Sequence, residues 1–220
     1  MRLKIYQIDP DKDINGVMYA PLKLIDEVDP RIYRKVFDSS LDIDELEDAY
    51  NIFNTTMHPL YNGRSMTRSD VLVTDDGAYY CDSLGFKKIE FDEEKAVASD
   101  QIRVLFVEPH KEPVEGFIPD TLDAKQHAVG GLIEFVYIGD DAAIVCDEEA
   151  KLKGKEGNRY LEGGTGIVAG NFLIVGLSEE DCRSLTREEA ARYKEKFKDT
   201  PDITPAEAQA DAGFTFISFM

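Results

Sequence analysis

The 220-residue chain carries 25 basic and 44 acidic residues, a formal net charge of −19. The excess is shared, with 12 basic against 21 acidic residues in positions 1–100 and 13 against 23 in 101–220. It therefore surrounds the whole molecule and repels nucleic-acid phosphates, which excludes ordinary DNA or RNA binding. A hydrophobic content of 43% excludes global disorder, and no apolar run approaches the ~18–20 residues that cross a bilayer.

Residues 3–8 alternate like a strand until Asp9-Pro10 breaks the pattern. Short helices are expected around Leu22–Val28 and Pro30–Phe37. Asp42-Ile-Asp-Glu45 has the form of a capping box and predicts a helix through about Phe53, with Leu46, Ala49, Tyr50 and Phe53 on one face. Val71–Thr74 and Ala78–Cys81 flank Asp75-Asp76-Gly77 and predict a hairpin, followed by a short strand at Phe86–Phe91. The weakly patterned stretch 92–100 is the expected domain boundary.

The second half restarts with a buried strand at Ile102–Val107, then Val114–Ile118 and a helix from Pro119-Asp120-Thr121 to about Val129, ended by Gly130-Gly131. Leu132–Ile138 and Ala142–Cys146 form a second expected hairpin around Gly139-Asp140-Asp141. Gly163-Gly-Thr-Gly166 precedes one apolar strand, Ile167–Val175. Ser178–Asp181 and Thr186–Glu189 both have capping-box form, the second opening a helix through about Phe197. Thr204-Pro205-Ala-Glu207 predicts another helix. Phe214–Met220 is too apolar to remain in water, so it is either a packed terminal strand or an exposed partner-binding segment. The expected fold class is α+β: two small mixed domains, 1–94 and 101–199, mainly antiparallel hairpins packed with one or two helices, then a helix-strand tail at 200–220.

Tyr50–Asn54, His58-Pro59, Gly63–Val71 and Ala78–Phe86 make residues 3–92 resemble the YodL-like domain. Arg64 stands where that family's histidine is expected, so no histidine role is carried over. Ile102–Pro109, Val129–Glu134, Cys146–Glu149, Asn158-Arg159 and Ile167–Gly176 make residues 101–198 resemble a family of unknown function from phage and mobile-element proteins. The two resemblances imply a genomic setting and assign no chemistry.

Three dispersed cysteines (Cys81, Cys146, Cys182) read as reduced thiols, and three histidines without zinc spacing give no metal site. No cofactor is expected. The N-terminus lacks the apolar core of a signal peptide, so cytoplasm is the expected compartment. His58, Ser65, Ser69 and Asp70 are the residue types of a hydrolase triad, but spacing alone does not make one. The Gly163–Gly166 run lacks the lysine and helix of a phosphate-binding loop. Asn158 and Arg159, beside Thr165, are the candidate ligand-binding group; they hold either a carboxylate or phosphate, or a loop carbonyl. Tyr79, Tyr80, Asp140, Asp141, Asp147, Glu148 and Glu149 are candidate partner contacts, with one tyrosine inward and its neighbour outward. The expected function is a non-enzymatic accessory or counter-defence protein that binds a host protein through an acidic surface, with possible mimicry of nucleic acid. A small-ligand sensor is the alternative.

Overall fold

A computed structural model describes residues 1–161, 166–178 and 181–212. The chain divides into two compact units: Met1–Gln101 with Phe117–Pro119, and Ile102–Gly116 with the residues from Asp120 onward. Both combine antiparallel strands with short helices, so the fold class is α+β. Among the described residues no helix is long and apolar enough to cross a membrane.

The first unit contains β1 (Arg2–Ile8), β2 (Tyr33–Ser40), α1 (Leu46–Thr55), β3 (Val71–Thr74), β4 (Gly77–Cys81) and β5 (Phe86–Ile89), with strand order β5-β4-β3-β1-β2. β2 corrects the expectation of a helix at Pro30–Phe37. Helical backbone is limited to a short 3₁₀ turn at Pro30–Ile32, and Tyr33, Lys35 and Phe37 then join a ladder against β1, with Val36 at a register shift. β-branched and aromatic side chains suit this half-buried pleat. The Leu22–Val28 helix also shrinks to a 3₁₀ turn, Leu22–Leu24.

α1 begins four residues after the expected cap, with Glu45 at the cap and its amide donating to Asp48 Oδ2 at 3.2 Å. Ala49 and Phe53 are buried, and Phe53 packs on Phe37 with ring centroids 4.8 Å apart. Tyr50 was expected on that face but is 40% exposed. On the other side of the sheet, Tyr6, Ile8, Tyr33, Val71 and Tyr80 form a separate apolar cluster.

The second unit contains β6 (Gln101–Val107, from Ile102), β7 (Val114–Pro119, to Gly116), α2 (Leu122–Val129), β8 (Ile133–Tyr137), β9 (Ala142–Asp147), β10 (Gly157–Tyr160), β11 (Ile167–Ala169), β12 (Phe172–Leu177), β13 (Cys182–Arg183), α3 (Arg187–Lys196) and α4 (Pro205–Asp211). Its main sheet runs β7-β6-β12-β9-β8, with β13 beside β12; β10 and β11 form a separate ribbon. The single strand expected at Ile167–Val175 is thus two strands in two sheets. Gly170 separates them with φ +68°, a left-handed value that glycine adopts without steric cost.

Thr121 caps α2, and Thr186 and Glu189 form the expected reciprocal cap of α3. Ser178 Oγ instead accepts from the Asp181 amide directly before β13, so Asp181 leads into a strand rather than a helix. Leu105, Ile144, Phe172, Ile174, Tyr193 and Phe197 lie in the main core of this unit. The Phe214–Met220 segment lies outside the described residues.

In the first unit, polar groups concentrate around Ser69 and Asp70, both fully buried. Arg64 Nη2 and Nη1 donate to the two Asp70 carboxylate oxygens at 2.6 and 3.1 Å. The Thr67 amide and Gln7 Nε2 each donate at 2.9 Å. Burial raises the Asp70 pKa, and the Arg64 ion pair, the Thr67 amide and the Gln7 amide act against that rise. Ser69 takes φ +76° while its hydroxyl accepts from the Tyr19 amide and its carbonyl accepts from the Tyr33 hydroxyl. Arg64, which departs from the expected histidine, is therefore the counter-ion of a carboxylate sealed from water. Arg64→Ala should destabilise the protein by about 3 kcal/mol by leaving that charge uncompensated. Urea unfolding of the full chain measures this, and a loss below about 1 kcal/mol would contradict the role.

Two other carboxylates contribute acid-sensitive stability. Lys87, with the amides of Ser83 and Leu22, pulls Asp82 down to about 2. Arg183, with the Thr186 amide, pulls Glu189 down to about 2. Both folded values lie below the unfolded ones, so their stabilisation is present above about pH 4 and is lost as pH falls toward 2. Thermal melts from pH 5 to 2 should show a declining midpoint, with a shallower decline in the double variant Asp82→Asn, Glu189→Gln.

Candidate functional site

A cleft of about 530 Å³ lies in the first unit between α1 and the β4–β5 turn. Glu47, Tyr50 and Asn51 line it from one helix face, at the i, i+3, i+4 spacing that brings side chains together. Arg68 and Ser83 line it from the facing loops, and Phe86 from the start of β5. The turn is held by the Asp82 carboxylate, which accepts from the Ser83 amide at 2.8 Å and the Leu22 amide at 3.2 Å and pairs with Lys87 at 2.5 Å. Gly85 has φ +63°, and a Cβ there would lie 3.6 Å from Glu47 Oε1. That contact is an ordinary one, so glycine serves the left-handed backbone angle of the turn rather than its approach to the helix. Cys81 also borders the cleft, but burial pushes its thiol up to about 12, leaving it neutral and unreactive at physiological pH.

The triad residue types do not form a relay. Asp70 is engaged by Arg64, Gln7 and Thr67, the Ser69 hydroxyl by the Tyr19 amide, and His58 Nδ1 accepts from the Leu60 amide at 3.1 Å. Ser65 is exposed.

Tyr80 points inward, fully buried, and its hydroxyl donates to the Ala20 carbonyl at 2.8 Å. That burial removes it from the partner contacts. Tyr79 is half-buried on the opposite face, with the Lys88 ammonium 5.9 Å from its ring centroid.

The five acids of the second unit do not gather. Asp140 and Asp141 lie at one end of β9 and Asp147, Glu148 and Glu149 at the other, ~20 Å away at a strand rise of ~3.3 Å per residue. Asp140 and Glu148 are exposed. Asp141 pairs with Arg192 and accepts from the Tyr193 hydroxyl at 2.8 Å. Asp147 is 2% exposed and held by Lys153 at 2.9 Å and Lys155 at 2.7 Å, which takes it too out of the partner surface. Glu149 pairs with Lys153 at 3.3 Å.

Donor atoms of Asp120, Asp181 and Cys182 converge within 4.8 Å of one another, a grouping that sequence distance conceals. The buried Lys125 ammonium pairs with Asp120 and also hydrogen-bonds Cys182, so a fixed cation already serves this cluster.

Asn158 and Arg159 lie on β10, 0% and 3% exposed. Asn158 Nδ2 donates to the carbonyls of Val107 and Gly170, while its Oδ1 accepts from Arg159 Nη1 at 2.7 Å. Arg159 also donates from Nε to the Phe197 carbonyl at 2.9 Å and from Nη2 to the Lys111 carbonyl at 2.7 Å. Burial lowers the Arg159 pKa, with Asp199 acting against that shift, and the guanidinium remains charged. Every guanidinium nitrogen is engaged by the chain itself, so of the two expected roles it is the holding of loop carbonyls, not of a ligand anion, that the geometry carries. Thr165 and the Gly163–Gly166 turn, apart from Gly166, lie outside the described residues. Arg159→Ala should cost about 3 kcal/mol, because it strands the carbonyls of Phe197 and Lys111. Arg159→Lys should recover only part of this, since an ammonium cannot reproduce the planar fork; melting curves of both variants check the order.

Residues 2–91 match the family profile of the YodL-like domain, and residues 102–198 match that of a domain of unknown function, DUF3846. No curated protein and no solved structure matches the chain. The matched segments include both the Ser69–Asp70 node and the Asn158–Arg159 pair. The chain carries, in order, a YodL-like domain and a DUF3846 domain.

Proposed function

We propose that the protein is a non-catalytic accessory factor, in a phage or mobile-element setting, that binds a basic surface on a host protein. The observation that carries this reading is the allocation of charge. Arg64, Lys87, Lys153, Lys155, Arg183 and Arg192 are all engaged with carboxylates of the same chain. Asp42, Asp44, Asp75, Asp76, Asp140 and Glu148 are exposed and form no ion pair among the described residues. Internal pairing thus binds cations to the fold and leaves the surplus of acid facing solvent. Such a field steers a cationic partner and orients it, and a surface that normally holds nucleic acid is the matching kind.

The α1 entry (Asp42, Asp44) and the β3–β4 tip (Asp75, Asp76) are the suggested contacts on the first unit, with Tyr79 on the adjoining strand as an aromatic anchor. The tagged full chain should capture a nucleic-acid-handling protein at low salt and release it at high salt. Affinity for that partner should fall at least ~10-fold from ~50 to ~300 mM salt, as charge screening requires. Asp75→Asn with Asp76→Asn should weaken association several-fold, mainly through the on-rate. Salt-insensitive binding would overturn the charge mechanism. Competition by duplex DNA separates mimicry from acidic contact elsewhere on the partner.

A further inference from the structure

The cleft between α1 and the β4–β5 turn combines features that the charged surface does not explain. Arg68 is an exposed arginine in its wall that forms no ion pair among the described residues, although acids far outnumber bases in this chain. Glu47 shares the cleft and is not paired with it, and the Asn51 amide has no hydrogen-bond partner among the described residues. Asp82, the other carboxylate there, is already matched by Lys87. Tyr50 and Phe86 add aromatic surface, with Tyr50 left 40% exposed although its helix offers a buried face at Ala49 and Phe53.

We infer that this cleft binds a small ligand made of a flat ring bearing an amino group and one anionic substituent, no larger than a nucleoside monophosphate. Arg68 takes the anion, since a guanidinium forms paired, charge-assisted bonds to phosphate or carboxylate. Tyr50 and Phe86 supply the surface for the ring. Glu47 and Asn51 meet the amino group, which a carboxylate and an amide oxygen accept. The volume of about 530 Å³ falls in the range of small-molecule sites. The chain's net charge opposes an anion at long range, but screening over ~8–10 Å leaves the local guanidinium to decide binding inside the cleft. This site is separate from the acidic contacts proposed above and stands or falls without them.

The test is calorimetric titration of the full chain with adenosine monophosphate and with 4-aminobenzoate, each a flat ring bearing an amino group and an anion, phosphate in the first and carboxylate in the second. Adenosine and inorganic phosphate serve as half-ligands. At least one of the two complete probes should bind saturably, and adenosine monophosphate, where it binds, should bind more tightly than adenosine or inorganic phosphate. Arg68→Ala should weaken that binding at least ~10-fold, Arg68→Lys should restore part of it, and Tyr50→Ala should weaken it without lowering the melting temperature. Absence of binding by both complete probes, or binding unchanged in Arg68→Ala, would overturn the assignment.

Discussion

The first unit is organised around a carboxylate that has no access to water. Asp70 receives a two-pronged ion pair from Arg64, an amide from Thr67 and the side chain of Gln7 on β1. Its own amide and carbonyl join the Thr67 carbonyl and the Cys81 amide. The neighbouring Ser69 meets the Tyr19 loop and Tyr33 at the start of β2. One dipeptide therefore ties β1, β2, β4 and two loops together. A buried charge is costly unless every lone pair is met, so the arrangement tolerates few alternatives. The same constraint holds the residues that follow Asp70 in β3 and keeps the Arg68 loop beside α1.

The second unit solves the same problem with opposite charge. Arg159 is a buried cation answered by backbone carbonyls of Asn158, Phe197 and Lys111, while Asn158 connects β10 to Val107 and Gly170. A planar guanidinium offers five donors in a fixed fork, which lets one side chain satisfy carbonyls from three parts of the chain. The residue type that suggested anion recognition therefore acts as a brace. Asp147 is a second brace, closing the end of β9 with Lys153 and Lys155.

These braces explain how a chain so rich in acid can hold a compact fold. Carboxylates placed where backbone or cation donors converge are stabilising, and Asp82 and Glu189 are shifted to about 2 for that reason. Exposed acids such as Asp42, Asp44, Asp75 and Asp76 sit ahead of a helix and at a hairpin tip, where water solvates them and mutual repulsion is screened. Arg68 stands apart from this pattern, as an unpaired cation set among aromatic and polar side chains in a cleft.

Local chemistry alone was enough to read much of the architecture. Alternation marked β1, an apolar run marked β6, Asp-Gly marked the β3–β4 hairpin, and Thr caps with a glutamate three residues on marked α3 and α4, because each of these depends on neighbours within a few residues. The sequence families were legible for the same reason, as short motifs in fixed order. Tertiary structure decided the rest. Tyr33–Ser40 is a strand because β1 offers it a partner, and the Ile167–Val175 run divides because two separate sheets claim its halves. Whether Tyr50 packed inward, whether Arg159 faced a ligand or carbonyls, and whether Glu47 and Arg68 met in one cleft depended on contacts across tens of residues. No local period encodes such contacts, because the energy that selects them arises only when distant side chains share the same desolvated space.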